Sequence, residues 1–382
     1  MNCHTPHRKQ KLKKLFKQLH LYLSLPFGII ITLICFSGAM LGIEKDIAPS
    51  AGQHQLYVEK GEQRPLLLDS LLTLTQSTLP DDVRITSVNI FSDSTRSYQF
   101  NLSKPRKSSL YVNPYTGEAL GRNQRQAFFQ TMFRLHRWLL GPAKADDGSI
   151  GWGKLLVGVS TLLFVVILIT GIIIWWPRTT QTLRASLKIP FRKGLRPMMH
   201  GVHLAGGAYA FILLLIMALT GLTWSFKWYS NGFYALLGGN STITPPTSTT
   251  NPQRERPSKD RKKDFAWQQA LENLIHVQPD FAQITLSEHK ASIKTDTWGN
   301  ARATDQYVLN DDGEITSVTP YADTDYSRKL RGWVFTLHTG AFAGAWRRWL
   351  WAIVALVGAL LPLTGYYLWW KRTRRKHCHP AR

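Results

Sequence analysis

Residues 200–228 read HGVHLAGGAYAFILLLIMALTGLTWSFKW, and the rest of the chain is organised in the same terms. The apolar run behind the two histidines is about 25 residues long, enough to span a hydrocarbon core of about 30 Å. Imidazole is costly at such a position, so a histidine at the start of the run is a candidate functional group. His203 and Gly221 are eighteen residues apart. That is five helical turns, so they share one face about 27 Å apart. His20 and Gly38 repeat the spacing in the first apolar run.

Four such runs occur, at 21–43, 155–176, 204–228 and 349–370. Each is long enough to span a bilayer, and none shows the polar face of a soluble helix. The net charge of +23 suggests nucleic-acid binding until its placement is considered. Six basic residues and no acid precede the first run (Arg8, Lys9, Lys11, Lys13, Lys14, Lys17). Six more and no acid separate the second and third (Arg178, Arg184, Lys188, Arg192, Lys193, Arg196). A third six follow the fourth (Lys371, Arg372, Arg374, Arg375, Lys376, Arg382). This is the positive-inside pattern of a membrane protein. It places both termini and the middle loop in the cytoplasm and the two long polar segments outside. The expected partner is lipid, not nucleic acid. Cys3, Cys35 and Cys378 avoid the external segments and form no CxxC or CxxCH, which excludes zinc ribbons and covalently attached haem.

In order, the chain reads as a basic tail (1–19), a first span (20–43), a polar module (44–123), an interfacial helix (124–140), a second span (153–176) and a basic loop (177–199). A third span (200–230), a linker (231–264), a second polar module (265–324), a second interfacial helix (325–343), a fourth span (346–370) and a basic tail (371–382) follow. Pro26 falls within the first turns of the first span, where proline is tolerated. Each module reads as a helix (66–79, 265–277) followed by strands (84–91, 98–102; 283–286, 289–294, 306–309). Hairpin turns fall at 113–117 and 310–314. The linker is rich in Ser, Thr, Pro and Asn and is expected to be flexible.

The two halves match. Each has a histidine at the start of a span, a small α+β module, an interfacial Leu-His, and a span ending Thr-Gly-x-x-x-Trp-Trp (Thr170 to Trp176, Thr364 to Trp370). The expected fold is therefore an α-helical membrane protein of four spans in two parallel pseudo-two-fold repeats, each with an external α+β module. The axis brings His20 to His203 at one membrane face and His136 to His338 at the other. Two imidazoles from facing helices are what a non-covalent b-type haem needs as axial ligands, so two haems b are expected. Gly38, Gly171, Gly221 and Gly365 then leave room for a flat macrocycle. His200, three residues before His203, is an alternative ligand. Arg134 and Arg137 beside His136 are candidate partners for haem propionates. Zinc ranks behind haem because the histidines split between two levels. No GxGxxG, Walker A or GxSxG motif occurs, so electrons come from outside the chain.

Residues 111–118, Tyr-Val-Asn-Pro-Tyr-Thr-Gly-Glu, resemble a PepSY module. Leu19-His20, Leu135-His136-Arg137-Trp138 and Leu337-His338, with the Thr-Gly-x-x-x-Trp-Trp endings, resemble the span motifs of the PepSY-associated transmembrane family. Some members are di-haem reductases of ferric siderophores. The resemblance implies reduction of a periplasmic ferric hydroxamate, with quinol or a cytoplasmic reductase as donor. Trp333, Trp346, Arg347 and Arg348 are placed near the outer level, where that substrate would bind. Competing readings are a membrane-tethered regulator of peptidases, because PepSY modules are also associated with peptidase inhibition, and an iron or siderophore transporter. The latter is disfavoured because no acidic residue lies inside a span.

Overall fold

The structure, a computed structural model, describes residues 5–47, 53–59, 64–104, 108–123, 125–142, 149–177, 179–239, 265–295, 299–342 and 344–377. The chain runs α1 (Thr5–Ile47), α2 (Gln53–Leu56), α3 (Leu68–Ser77), β1 (Ile85–Phe91), β2 (Tyr98–Leu102), β3 (Ser109–Val112), β4 (Ala119–Asn123), α4 (Ala127–Trp138), α5 (Trp152–Trp175), α6 (Thr180–Ser186) and α7 (Leu195–Gly201). A π-helical turn (Val202–Gly206) leads into α8 (Gly207–Leu222) and α9 (Lys227–Leu236). After these come α10 (Trp267–Val277), β5 (Gln283–Ser287), β6 (Lys290–Lys294), β7 (Asp305–Leu309), β8 (Ile315–Thr319), α11 (Tyr326–Thr339) and α12 (Ala345–His377). Two compact units result. One comprises Met1–Lys45, Ala127–Leu237 and Val334–Arg382; the other comprises Asp46–Gln126 and Gly238–Trp333.

The first unit is helical. Among the described residues, four segments are long and apolar enough to cross a membrane: Gln10–Ile47, Trp152–Trp175, Leu195–Leu222 and Ala345–Arg374. Their shared core contains Ile31, Phe164, Ile167, Leu214, Ala218 and Val354. Small residues set the close approaches, as expected where lipid supplies no hydrophobic drive between helices. A Cβ on Gly358 would lie 2.8 Å from Leu214 and 3.2 Å from Cys35. Ile29, Ile212 and Ile353 point outward and are exposed, a face suited to acyl chains rather than water.

Two expectations are corrected here. The basic tail is not separate from the first span, because α1 begins at Thr5. Residues 8–25 contain no Gly or Pro and are rich in Lys, Leu and Gln, all good helix formers. Pro26 therefore lies well inside α1. The third span does not run to residue 230. Thr223, Trp224 and Ser225 donate to the carbonyls three residues back, tightening the last turn into 3₁₀ geometry. A new helix, α9, then occupies the start of the expected linker, whose remainder (240–264) lies outside the described residues.

The second unit is a sheet covered on one face. Two separate α+β modules were expected. Instead the strands form one antiparallel sheet of eight, in the order β4-β3-β2-β1-β5-β6-β7-β8. The joining pair is β1 with β5, in register Val88↔Leu286 and Ile90↔Ile284. Alternate residues point inward, so Val88, Ile90, Phe100, Ile284, Leu286 and Ile293 share a core with Leu68 and Leu71 of α3 and Leu271 and Leu274 of α10. Each fully buried side chain of this size contributes about 1.5–3 kcal/mol. The two helices also cap each other. The Asp69 carboxylate accepts from Trp267 N (3.2 Å) and Gln268 N (3.0 Å), while Gln268 Oε1 accepts from Leu68 N (2.8 Å). Gly117 (φ +76°) and Gly313 (φ +77°) occupy left-handed positions in the two expected hairpin turns, where a Cβ is disfavoured.

Candidate functional site: two histidine pairs

Four buried or half-buried histidines form two pairs in the helical unit. His20 of α1 faces His203 of the π-helical turn, with ring centroids 6.3 Å apart and planes at 89°. His136 of α4 faces His338 of α11 at 6.2 Å and 51°. Beside each imidazole, a neighbouring helix presents the same three-part device.

The device consists of a backbone carbonyl, a hydroxyl three residues later and a glycine immediately after that. His20 Nδ1 lies 3.1 Å from Ile167 O and 3.1 Å from Thr170 Oγ1. His203 Nδ1 lies 3.1 Å from Leu361 O and 2.9 Å from Thr364 Oγ1. His338 Nδ1 lies 3.0 Å from Met217 O and 3.1 Å from Thr220 Oγ1. His136 Nδ1 lies 2.9 Å from Ile34 O, and that carbonyl also accepts from Ser37 Oγ at 3.1 Å. A carbonyl cannot donate, so Nδ1 must carry the proton in all four rings. The lone pair is thereby placed on Nε2. Among the described residues, no Nε2 of the four has a hydrogen-bond partner.

The glycines explain how the rings reach these carbonyls. In a helix the carbonyl of residue i lies one turn below residue i+4, which in each case is the glycine. With no Cβ there, the imidazole slides in against the backbone. A Cβ added at Gly38 would meet His136 Cε1 at 2.9 Å, at Gly221 His338 Cε1 at 3.1 Å, at Gly171 His20 Cε1 at 3.3 Å, and at Gly365 His203 Cε1 at 3.6 Å. The expected slot for a macrocycle is thus occupied first by the histidine ring. The glycines act on the imidazoles directly.

His200 is not part of a pair. It is exposed, while His203 meets His20. The π-helical turn that carries His203 widens the helix by one residue per turn, a distortion frequent at functional positions. Arg134 and Arg137 also have local roles. Arg134 donates to Leu140 O at 3.0 Å, closing the end of α4, where Leu139 and Leu140 have positive φ. Arg137 lies over the rings of Phe133 and Trp138, 5.5 Å from each. Arg347 stacks on Trp346 and donates to Phe342 O. Sequence reading missed the hydroxyls of Thr170, Thr220 and Thr364 as partners of the rings, and Ser37 as a second donor to the carbonyl that His136 uses. It also missed Trp224, whose ring packs edge-on against His338 at 5.1 Å.

The pairs differ in their surroundings. His20 and His203 line a cavity of about 580 Å³ that also contains Gly171, Gly365, Lys13 and Lys17. Burial pushes the pKa of His136 down and that of His338 down to about 4, the neighbouring His136 adding to the latter shift. Both rings are therefore neutral at physiological pH. Chemically, the arrangement offers two sets of paired, oriented imidazoles. Among the described residues, no group of three or more His, Cys, Asp or Glu side chains comes together, so each set consists of two imidazoles.

No curated protein matches the chain. The profile of the PepSY-associated TM region matches residues 17–372, nearly the whole length and including all four paired histidines. The chain belongs to the PepSY-associated TM family.

Proposed function

We propose that this protein is an inner-membrane oxidoreductase that holds two b-type haems, one at each histidine pair, and passes electrons across the bilayer to a ferric hydroxamate siderophore in the periplasm. The observation that carries the reading is the pair geometry. Two imidazoles bound through Nε2 on opposite sides of one metal, with bonds of about 2 Å, have centroids roughly 6 Å apart. Both pairs match this, at 6.3 and 6.2 Å. An edge-to-face ring contact covers the same range, but it accounts neither for four anchored Nδ1 atoms nor for four unpartnered Nε2 atoms. Two protein ligands per level also suit a macrocycle that brings its own nitrogen donors better than they suit zinc.

In this reading the two halves of the chain are parallel repeats. Arginine and lysine placement puts the His20–His203 pair at the cytoplasmic face. A bound haem supplies a one-electron iron couple whose potential depends on axial ligation and burial. The chain contributes the rest. Carbonyl and hydroxyl acceptors fix each ring's tautomer and raise its basicity. Glycine lets the ring reach them. At the His136–His338 pair, Trp224 covers one ring. The siderophore holds Fe(III) through hard oxygen donors and Fe(II) far less well, so one electron delivered outside releases the iron. Quinol or a cytoplasmic reductase would supply that electron.

The test is an absorption spectrum of purified protein, oxidised and then reduced with dithionite, with haem counted per chain. Low-spin bis-histidine bands and two haems per chain are expected. Colourless protein produced with ample haem would sink the reading and move the weight to a tethered regulator that acts through the sheet unit.

A further inference from the structure

A second concavity opens beside the His20–His203 cavity, with a volume of about 760 Å³. Its polar lining is Thr182 and Ser186 of α6, Lys188, Arg196 and His200 around α7, and Arg372 of α12. No carboxylate lines it. Lys188, Arg196, His200 and Arg372 make no side-chain hydrogen bond or ion pair among the described residues. Three cations from three separate segments therefore converge on one hollow with their charge uncompensated. Solvent and salt screen part of their mutual repulsion, and an anion seated among them would relieve the rest. Ser186, His200 and Arg372 line both hollows, so the two share a wall.

We propose that this hollow is a binding site for a phosphate-bearing ligand. Two arginines present planar donor forks suited to phosphate oxygens, and the lysine adds a third charge. His200, exposed on the shared wall, adds a ring donor. The apolar part of the lining, with Ala185, Leu204 and Leu368, suits a ligand whose phosphate is attached to an apolar or aromatic body. Two sources share that chemistry: the headgroup of an anionic phospholipid, and a soluble phosphate-bearing redox cofactor. Neither the charge nor the shape of the site depends on the paired histidines; only the redox character of a soluble ligand rests on the proposed function.

The experiment uses the full chain in detergent and three probes. These are flavin mononucleotide followed by fluorescence, inorganic phosphate as competitor, and short-chain phosphatidylglycerol against phosphatidylcholine followed by native mass spectrometry. Arg196→Gln and Arg372→Gln are compared with Arg184→Gln, an exposed arginine of the same basic loop that does not line the hollow. At least one phosphate-bearing probe should bind saturably. Each lining arginine should weaken binding roughly tenfold or more, with Arg184→Gln unchanged. Preference for the flavin identifies a soluble ligand, and preference for phosphatidylglycerol a lipid one. Equal weakening by all three variants would reduce the site to general positive charge and overturn the proposal, as would the absence of saturable binding to the unmodified chain. Circular dichroism of each variant confirms that it is folded before binding is scored.

Discussion

The two histidine pairs are built from the same parts but are held to different tolerances. At the His136–His338 pair, a Cβ at either glycine would lie 2.9 or 3.1 Å from the ring, and Trp224 packs against His338. At the His20–His203 pair the same distances are 3.3 and 3.6 Å, and both rings line a cavity. The planes stand at 51° in the first pair and 89° in the second. One pair is clamped and the other is open on one side. In an electron path, the clamped pair suits a fixed terminus and the open one suits exchange with a donor.

The largest effect that separates them comes from deleting a ring. On the proposed function, His338→Ala should remove one of two haems and abolish electron delivery to a ferric siderophore. His203→Ala should also remove one axial ligand, but the open cavity leaves room for free imidazole to replace it. Haem content measured with and without added imidazole is expected to recover in His203→Ala and not in His338→Ala. Full haem content and activity in both variants without rescue would break the reading altogether. Equal rescue in both would remove the distinction between clamped and open pairs.

Glycine substitutions grade the same contrast. Alanine gains about 0.5–1 kcal/mol over glycine within a helix. Forcing a methyl into a filled site costs about 1–3 kcal/mol. At Gly38 the steric cost prevails, because the ring is anchored at 2.9 Å to Ile34 O and cannot retreat without losing that bond. At Gly365 the 3.6 Å contact is ordinary, so propensity prevails and the change is neutral to slightly stabilising. Damage should therefore fall in the order Gly38, Gly221, Gly171, Gly365, read as thermal stability and haem retention of the four alanine variants. The opposite order would show that the glycines respond to something other than the rings.

The plane angles provide a spectroscopic counterpart. Nearly perpendicular imidazole planes give low-spin ferric haem a more anisotropic electron paramagnetic resonance signal than planes at a smaller angle. Two distinct low-spin signals are expected, with the more anisotropic one lost in His203→Ala. A single merged signal would mean that both pairs relax to one geometry on binding.

Much of this was legible in the sequence, for physical reasons. The spans were plain because about twenty apolar residues have few other uses, and the paired histidines because imidazole in such a run is costly. The Thr-Gly recurrences were visible, but their role was not. That role lies in a carbonyl one turn earlier, and every residue type supplies the same carbonyl. The continuity of the eight-stranded sheet was also hidden. Val88 and Leu286 look like ordinary inward strand residues, and nothing local states that their strands pair across nearly two hundred residues. That His203 rather than His200 meets His20 depends on a π-helical turn that has no local sequence signature.

The smallest effect concerns the hydroxyls, and it tests whether the four devices are equivalent. Thr170, Thr220 and Thr364 each lie within hydrogen-bond distance of a ring Nδ1. Ser37 does not contact His136 Nδ1. It donates to Leu33 O at 2.6 Å and to Ile34 O at 3.1 Å, so it acts on the ring only by sharing a carbonyl. Valine in place of any of the three threonines keeps the shape, removes one acceptor from Nδ1–H and leaves the carbonyl to serve alone. A net hydrogen bond of this kind contributes about 1 kcal/mol, and outer-shell partners of metal-bound histidine typically change metal affinity about 10–100-fold. Thr170→Val, Thr220→Val and Thr364→Val should each loosen haem at their own pair only and shift its reduction potential, as the imidazole becomes less basic. Ser37→Ala frees part of Ile34 O for the ring, so it should leave the potential at the His136–His338 pair nearly unchanged. A shift in Ser37→Ala as large as in Thr220→Val, which acts on the same pair from the other side, would show that the carbonyl, rather than the direct hydroxyl contact, sets the basicity of both rings.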